Sequence, residues 1–296
     1  MSKLIAGKQV NVTGTETYMV GERKRTLFGK MVLTAILVFI ILITLVPFLW
    51  MISASLKDKN SIFVFPIQWI PTKFLWSNFK EIWTKIPLAR FLSNTTILAL
   101  VITCLQVFTS SFAAYAFAKL RFRGRNVLFM CYIATIAVPW QAYMVPQFLM
   151  FARMGLTNTL WSMIFLQAFT AFGVFMMRNF FMSIPSELCE AARIDGLSEF
   201  GIWLRIMLPN AIPAVATLTI FTFVTTWNDF LGPSIYLTYA DVMTIQVGVK
   251  KLISQFSAEW SLIMAAGVVS MVPVLIVFIA LQKYFVEGVV SSAVKG

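Results

Sequence analysis

Residues 186–213 read SELCEAARIDGLSEFGIWLRIMLPNAIP, a charged island in an otherwise apolar chain. The stretch holds Glu187, Glu190, Asp195 and Glu199 against Arg193 and Arg205, while the 296 residues as a whole are only 12% charged. A residue preceding proline avoids helical geometry and proline suits the first helical turn, so a helix is expected to begin at Pro185. Glu187 in its first turn complements the positive end of the helix dipole. Gly196 is a natural C-terminal cap. Ser198 caps a second helix, in which Phe200, Trp203, Leu204 and Met207 recur at i, i+3, i+4 and i+7 and predict one apolar face. Pro209 is expected to interrupt it.

Outward from this island the chain is built for lipid. Hydrophobic residues make up 59% of it and the mean hydropathy is +0.82, whereas a soluble domain carries roughly 25% charge. Uncharged runs cover Met31–Leu56, Phe91–Ala118, Asn126–Ala152, Met154–Met177, Ile206–Asn228 and Trp260–Gln282, each of a length that crosses a bilayer. The reading is an all-α polytopic membrane protein of six transmembrane helices. Spans are placed at about 31–54, 91–118, 127–146, 159–177, 209–229 and 260–282, with residues 1–26 as a polar tail, 27–296 as one transmembrane domain and 178–208 as a loop. The first run is too long and too late in the chain for a signal peptide.

The net charge of +12 follows topology. With the N-terminus inside, the tail (Lys3, Lys8, Arg23, Lys24, Arg25, Lys30), the turn after the second span (Lys119, Arg121, Arg123, Arg125) and Arg178, Arg193, Arg205, Lys283 and Lys295 place 15 of the 24 basic residues on the cytoplasmic side. That bias orients both termini inward and argues against nucleic acid as a partner. Cys104, Cys131 and Cys189 show no pairing pattern and are read as small packing residues. Between Lys57 and Arg90 the aromatics Phe63, Phe65, Trp69, Phe74, Trp76, Phe79 and Trp83 suit the membrane–water interface. Ser110, Ser111, Ala113, Ala114, Ala116 and Ala118 give the second span small faces for close packing. Pro139 is expected to kink the third span and Pro146 to end its regular part, leaving residues 147–158 as an external connector.

An interfacial loop that binds anionic lipid is usually basic; this one is acidic. Its first helix, with Ala191 and Ala192 small on one side, has the form of a plug offered to a cytosolic protein. Glu190-Ala191-Ala192, then Gly196, then Ile206, Leu208 and Pro209 match the EAA-x3-G-x9-I-x-LP signature of permease subunits in bacterial ABC importers. IPSELCEAARIDG, WNDF downstream, YAFAKLRFRGR and the final AVKG resemble the carbohydrate-uptake members, of the maltose-type shorter permease. The resemblance runs from about Thr26 to Gly296 and implies a type I importer fold. It implies that Glu190, Ala191, Ala192, Asp195, Gly196, Ile206, Leu208 and Pro209 form an ATPase-coupling element seated in a separate ABC ATPase dimer, which binds the ATP and Mg. It also implies a second homologous permease completing a heterodimer, an external sugar-binding protein, a lipid surround and a bacterial cell membrane.

The chain itself carries no phosphate-cradling loop: Gly7-Lys8 and Gly29-Lys30 are followed by Gln and Met. No catalytic constellation and no metal-ligand cluster is expected, and no cofactor. Proton-coupled transport usually relies on ionisable groups inside the bundle; the chain has no histidine and its apolar runs hold no acid, with Asp229 at the end of the fifth. Candidates for the substrate path are Gln141, Tyr143, Gln167, Trp227, Asn228 and Asp229. Amides, a carboxylate and an aromatic face are the groups that hold sugars, although helix–helix hydrogen bonding explains such residues equally well.

Overall fold

The computed structural model describes the backbone of residues 27–253 and 259–293 and the side chains of residues 29–253 and 259–284. The readings made for the tail, residues 1–26, and for the C-terminal AVKG side chains lie outside these. Residues 1–50 and 51–296 form two units. Among the described residues the structure is helical, with no sheet.

Helix α1 runs Leu27–Ser55 and is apolar on every side. In the second unit α2 (Ser77–Lys85) lies outside the span α3 (Leu88–Lys119). Then come α4 (Arg125–Ala134) and α5 (Met144–Arg153), followed by α6 (Leu160–Gln167) and α7 (Ala171–Ser183). The charged island holds α8 (Glu187–Ile194), α9 (Glu199–Ile202), a π-turn (Trp203–Met207) and α10 (Leu208–Asn210). The chain ends with α11 (Ile212–Trp227), α12 (Leu231–Tyr236), α13 (Ile245–Gly248) and α14 (Trp260–Ala293).

Among the described residues three helices (Gly29–Ser55, Leu88–Lys119 and Trp260–Tyr284) are long and apolar enough to cross a membrane alone. Two bent pairs are long and apolar enough only when each is taken together. Leu160–Gln167 and Ala171–Ser183 meet at 43°, and Glu199–Asn210 meets Ile212–Trp227 at 83°. The remaining apolar run gives a shorter helical stretch, Arg125–Ala137. Pro139 does not kink it but breaks it, in extended geometry before a 3-10 turn at Trp140–Ala142. Pro146 falls in the first turn of α5, where its missing N–H has no helical partner to lose. It therefore opens a helix where one was expected to end.

The break between α6 and α7 frees carbonyls inside the bundle, and α3 answers them. Gln106 Nε2 donates to the Gln167 carbonyl at 2.6 Å and Thr109 Oγ1 to that of Ala168 at 3.0 Å. Thr170 caps α7 by accepting from the Gly173 N–H. Irregular backbone survives at membrane depth only when protein satisfies it in this way. Ser110, Ser111 and Ala114 are buried where α3 meets α7. A Cβ on Gly173 would lie 2.4 Å from Ser110 Oγ, so the small residues allow contact that larger ones would block.

Below this junction a cluster of Tyr115, Met177, Phe181, Cys189, Ile202, Trp203 and Met207 fixes the island to the ends of the spans. The expected apolar face of the second helix is divided: Trp203 and Met207 are buried, but Phe200 and Leu204 are exposed. The π-turn inserts extra residues per turn and rotates the stripe, so a 3.6-residue period fails there. Of the cysteines only Cys189 packs inside; Cys104 and Cys131 are exposed. Of the interfacial aromatics, Phe79 packs against a second cluster around Ile82, Phe91 and Leu262, while Phe63, Phe65, Trp69, Phe74, Trp76 and Trp83 stand exposed.

Candidate functional site

Helix α8 starts at Glu187, two residues after Pro185, with the amides of Cys189 and Glu190 both donating to the Ser186 carbonyl. It ends on Gly196 at φ +83°. Leu197 N–H donates to Ala192 O and Gly196 N–H to Arg193 O, both at 3.0 Å. That paired closure is the Schellman arrangement, and only a residue tolerant of positive φ completes it without strain.

Cys189 and Ala192 turn inward and are buried, and burial pushes the Cys189 thiol up from its ordinary value. Ala192 therefore serves the chain's own core, and of the two alanines only Ala191 is available to a partner. On the outer side Leu188, Ala191 and Ile194 are exposed, Ile194 at 87%, with Glu187, Glu190 and Asp195 around them. Ile206 and Leu208 are half-buried against the core around Cys189 and Met207, while Pro209 is exposed at the 83° bend. They hold the island to α11 without reaching the outer face.

Arg193 clamps the helix. Its Nε and Nη2 donate to the two Glu199 oxygens at 2.7 and 3.2 Å, and Tyr115 of α3 also donates to Glu199. The Arg193 hydrogen bond holds the Glu199 carboxyl below the usual glutamate range, and Arg193 is raised in turn. Both side chains are over a third exposed, so this pair contributes at most about 1 kcal/mol. Burial of Cys189 and Ala192 carries the attachment, and the ion pair sets orientation. Lys119 Nζ adds a bond to the Ile184 carbonyl at 2.5 Å. Arg178 donates to Phe117 O and sits 4.1 Å from the centroid of the Phe129 ring, tying α7 to α3 and α4.

A second site lies where α6 breaks. A cavity of about 500 Å³ is lined by Gln106, Trp140, Gln141, Gln167, Phe169, Thr170, Thr225, Thr226 and Asp229, with Met163, Leu166, Leu231 and Gly232. A continuous polar chain crosses its wall. Thr222 donates to Gln106 Oε1 at 3.0 Å, Thr226 to Gln167 Oε1 at 3.3 Å, and Gln167 Nε2 to Asp229 Oδ2 at 2.7 Å. Gly232 N–H donates to Asp229 Oδ1 at 3.2 Å.

The structure thus brings Gln141, Gln167 and Asp229 together and leaves Tyr143, Trp227 and Asn228 out. Trp227 is buried, stacked on Phe223 and donating to Ser270 of α14. Asn228 donates back to Val224 O of its own helix. Tyr143 is exposed away from the cavity. Gln106 and Thr226 were missed; the signal for Gln106 was a single amide in the apolar run ITCLQVF.

Comparison with known proteins assigns this arrangement. The family described as "Binding-protein-dependent transport system inner membrane component" matches residues 106–291. The arabinooligosaccharides transport system permease protein AraQ of Halalkalibacterium halodurans is 32% identical over 93% of this chain and 100% of its own length. The sn-glycerol-3-phosphate transport system permease protein UgpE of Pectobacterium atrosepticum is 32% identical over 85% of this chain and 92% of its own. A crystal structure of a bacterial ABC transporter involved in the import of the acidic polysaccharide alginate contains a chain of TM-score 0.78. That chain is 26% identical, and the match covers 92% of this chain and all of that one. With its broken helices and capped island helix, the chain belongs to the binding-protein-dependent transport system inner membrane components, the permease subunits of ABC importers.

Proposed function

We propose that the chain forms half of the translocation pathway of an ATP-driven importer for a di- or oligosaccharide. The observation that carries the coupling role is α8: rigidly capped, clamped to α3 through Arg193, Glu199 and Tyr115, and exposing Leu188, Ala191 and Ile194. An exposed apolar knob within an acidic rim fits a cleft in a cytosolic protein. That protein is a dimer of ABC ATPases, which binds ATP and Mg. This chain offers one such helix, so a second permease, distinct but homologous, presents the other, and both termini of this chain lie in the cytosol.

An external binding protein delivers the sugar, a partner already implied by the family. Inside the membrane, Gln141, Gln167 and Asp229 offer hydrogen bonds and Trp140 and Phe169 aromatic surface to a sugar in transit. ATP-driven closure of the ATPases moves α8, and with it α3, opening and shutting the path. The AraQ relative, named for arabinooligosaccharides, supports an oligosaccharide cargo.

The test is Ile194→Asp. The residue is 87% exposed, so the fold has no stake in it, while a charge in a desolvated contact costs several kcal/mol. Co-purification of the ATPase and sugar uptake are both expected to be lost at normal membrane levels of the protein. Retention of both would refute α8 as the coupling surface.

A further inference from the structure

The 500 Å³ cavity has an electrostatic character. Asp229 is the single ionisable residue lining it, and no Lys or Arg does. Burial disfavours a charge on Asp229, but the partners its side chain has are donors: the Gln167 amide on Oδ2, the Gly232 N–H on Oδ1, and the Leu231 backbone. Two N–H groups on the two oxygens suit an ionised carboxylate, which only accepts. Lys250, 21 residues further along the chain, lies 4.0 Å from the centroid of the Phe230 ring, next to Asp229, but is no part of the cavity wall. The remaining polar groups are amides and hydroxyls: Gln106, Gln141, Gln167, Thr170, Thr225 and Thr226.

We infer that this cavity selects neutral, polyhydroxylated cargo and rejects anionic sugars such as uronates. The inference rests on the proposed role of the cavity as part of the sugar path. Hydroxyl groups donate to the unfilled lone pairs of Asp229 and exchange hydrogen bonds with the amides. A carboxylate or phosphate on the cargo meets a like charge in surroundings of low dielectric, with no cation from this chain to neutralise it.

The experiment reads the field and the cargo separately. In the complete complex with its partner permease and ATPases, Cys104 and Cys131 are changed to serine and Cys189 to alanine, and Thr225→Cys is introduced as a reporter. Thr225 lines the cavity, and its hydroxyl bonds only to the carbonyls of its own helix. Cationic and anionic methanethiosulfonates of equal size are compared, with rates normalised to free cysteine. The cation is expected to react roughly tenfold faster or more, and the preference to fall to about twofold or less in Asp229→Asn. A neutral glucan trisaccharide should slow labelling, while trigalacturonate should not.

Equal rates for the two reagents, a preference unchanged by Asp229→Asn, or equal protection by both sugars would overturn the inference and leave the pathway standing. Failure of either reagent to label Thr225→Cys in the resting or turning-over complex would instead remove the cavity from the pathway, and the inference with it.

Discussion

Gly196 offers a test in which backbone conformation is the only variable. At φ +83° a Cβ added to it would meet nothing within 4 Å, so a side chain there has no steric quarrel with its neighbours. The cost is the left-handed conformation itself, about 1 kcal/mol for alanine and about 1–2 kcal/mol or more for a β-branched residue. Asparagine tolerates the region and should be nearly neutral. Because the two closing bonds from Leu197 and Gly196 depend on this one torsion, the cost is concentrated in the last turn of α8. A loss of 1–2 kcal/mol raises the open population of that turn about five- to thirtyfold.

Hydrogen exchange of peptides covering residues 187–199 should therefore quicken in the order Asn, Ala, Val. ATPase co-purification should weaken in the same order. Gly124→Val supplies the control, since Gly124 has φ +81° and equally open surroundings but caps α4; it should leave α8 exchange untouched. If Gly196→Val exchanges and docks as wild type does, or if Gly196→Asn is as damaging as valine, the reasoning from torsional strain is refuted.

Glu199 predicts a pH dependence. Its folded carboxyl lies below the ordinary glutamate value because of the Arg193 hydrogen bond. The clamp is thus fully present above the unfolded value and is lost as pH falls through the depressed one. Arg193→Ala should move the acid midpoint for loss of ATPase docking upward, and an unchanged midpoint would exclude the clamp. At the α3–α7 contact, Gly173→Ala forces a methyl against Ser110 Oγ at 2.4 Å and Thr170 Cγ2 at 2.7 Å. Overpacking of this kind costs about 1–3 kcal/mol and should lower the melting temperature, with partial rescue by Ser110→Gly; additive effects of the two changes would count against direct contact.

Which parts of this molecule were legible in the sequence follows from the range of the interactions that create them. The ends of α8 are set by Pro185, Ser186 and Gly196, all within one turn, and local chemistry announced them to within two residues. The apolar runs announced lipid, because span length is a property of contiguous sequence. The break between α6 and α7 carries neither proline nor glycine at Ala168, Phe169 or Thr170. It is held open by Gln106 and Thr109, about 60 residues earlier in the chain, and no local pattern encodes such a splint. The π-turn escaped for a related reason, since burial of Trp203 and Met207 overrides the regular period. Within the candidate path, residue type alone grouped six polar and aromatic side chains; only packing separates Gln141, Gln167 and Asp229 from Trp227, which anchors α14, and from Asn228, which folds back on its own helix.

Tyr115 and Gln106 sit on one unbroken helix, nine residues apart, which is about 14 Å of shaft. One end is tied through Glu199 to the charged island; the other holds the break between α6 and α7. Ser110 lies between them, pressed against Gly173 so closely that the two helices have no play. If α8 is the surface an ATPase moves, as proposed, its displacement reaches the cavity wall along this one helix. The joint at residues 168–170 lies beside the amides that line the cavity.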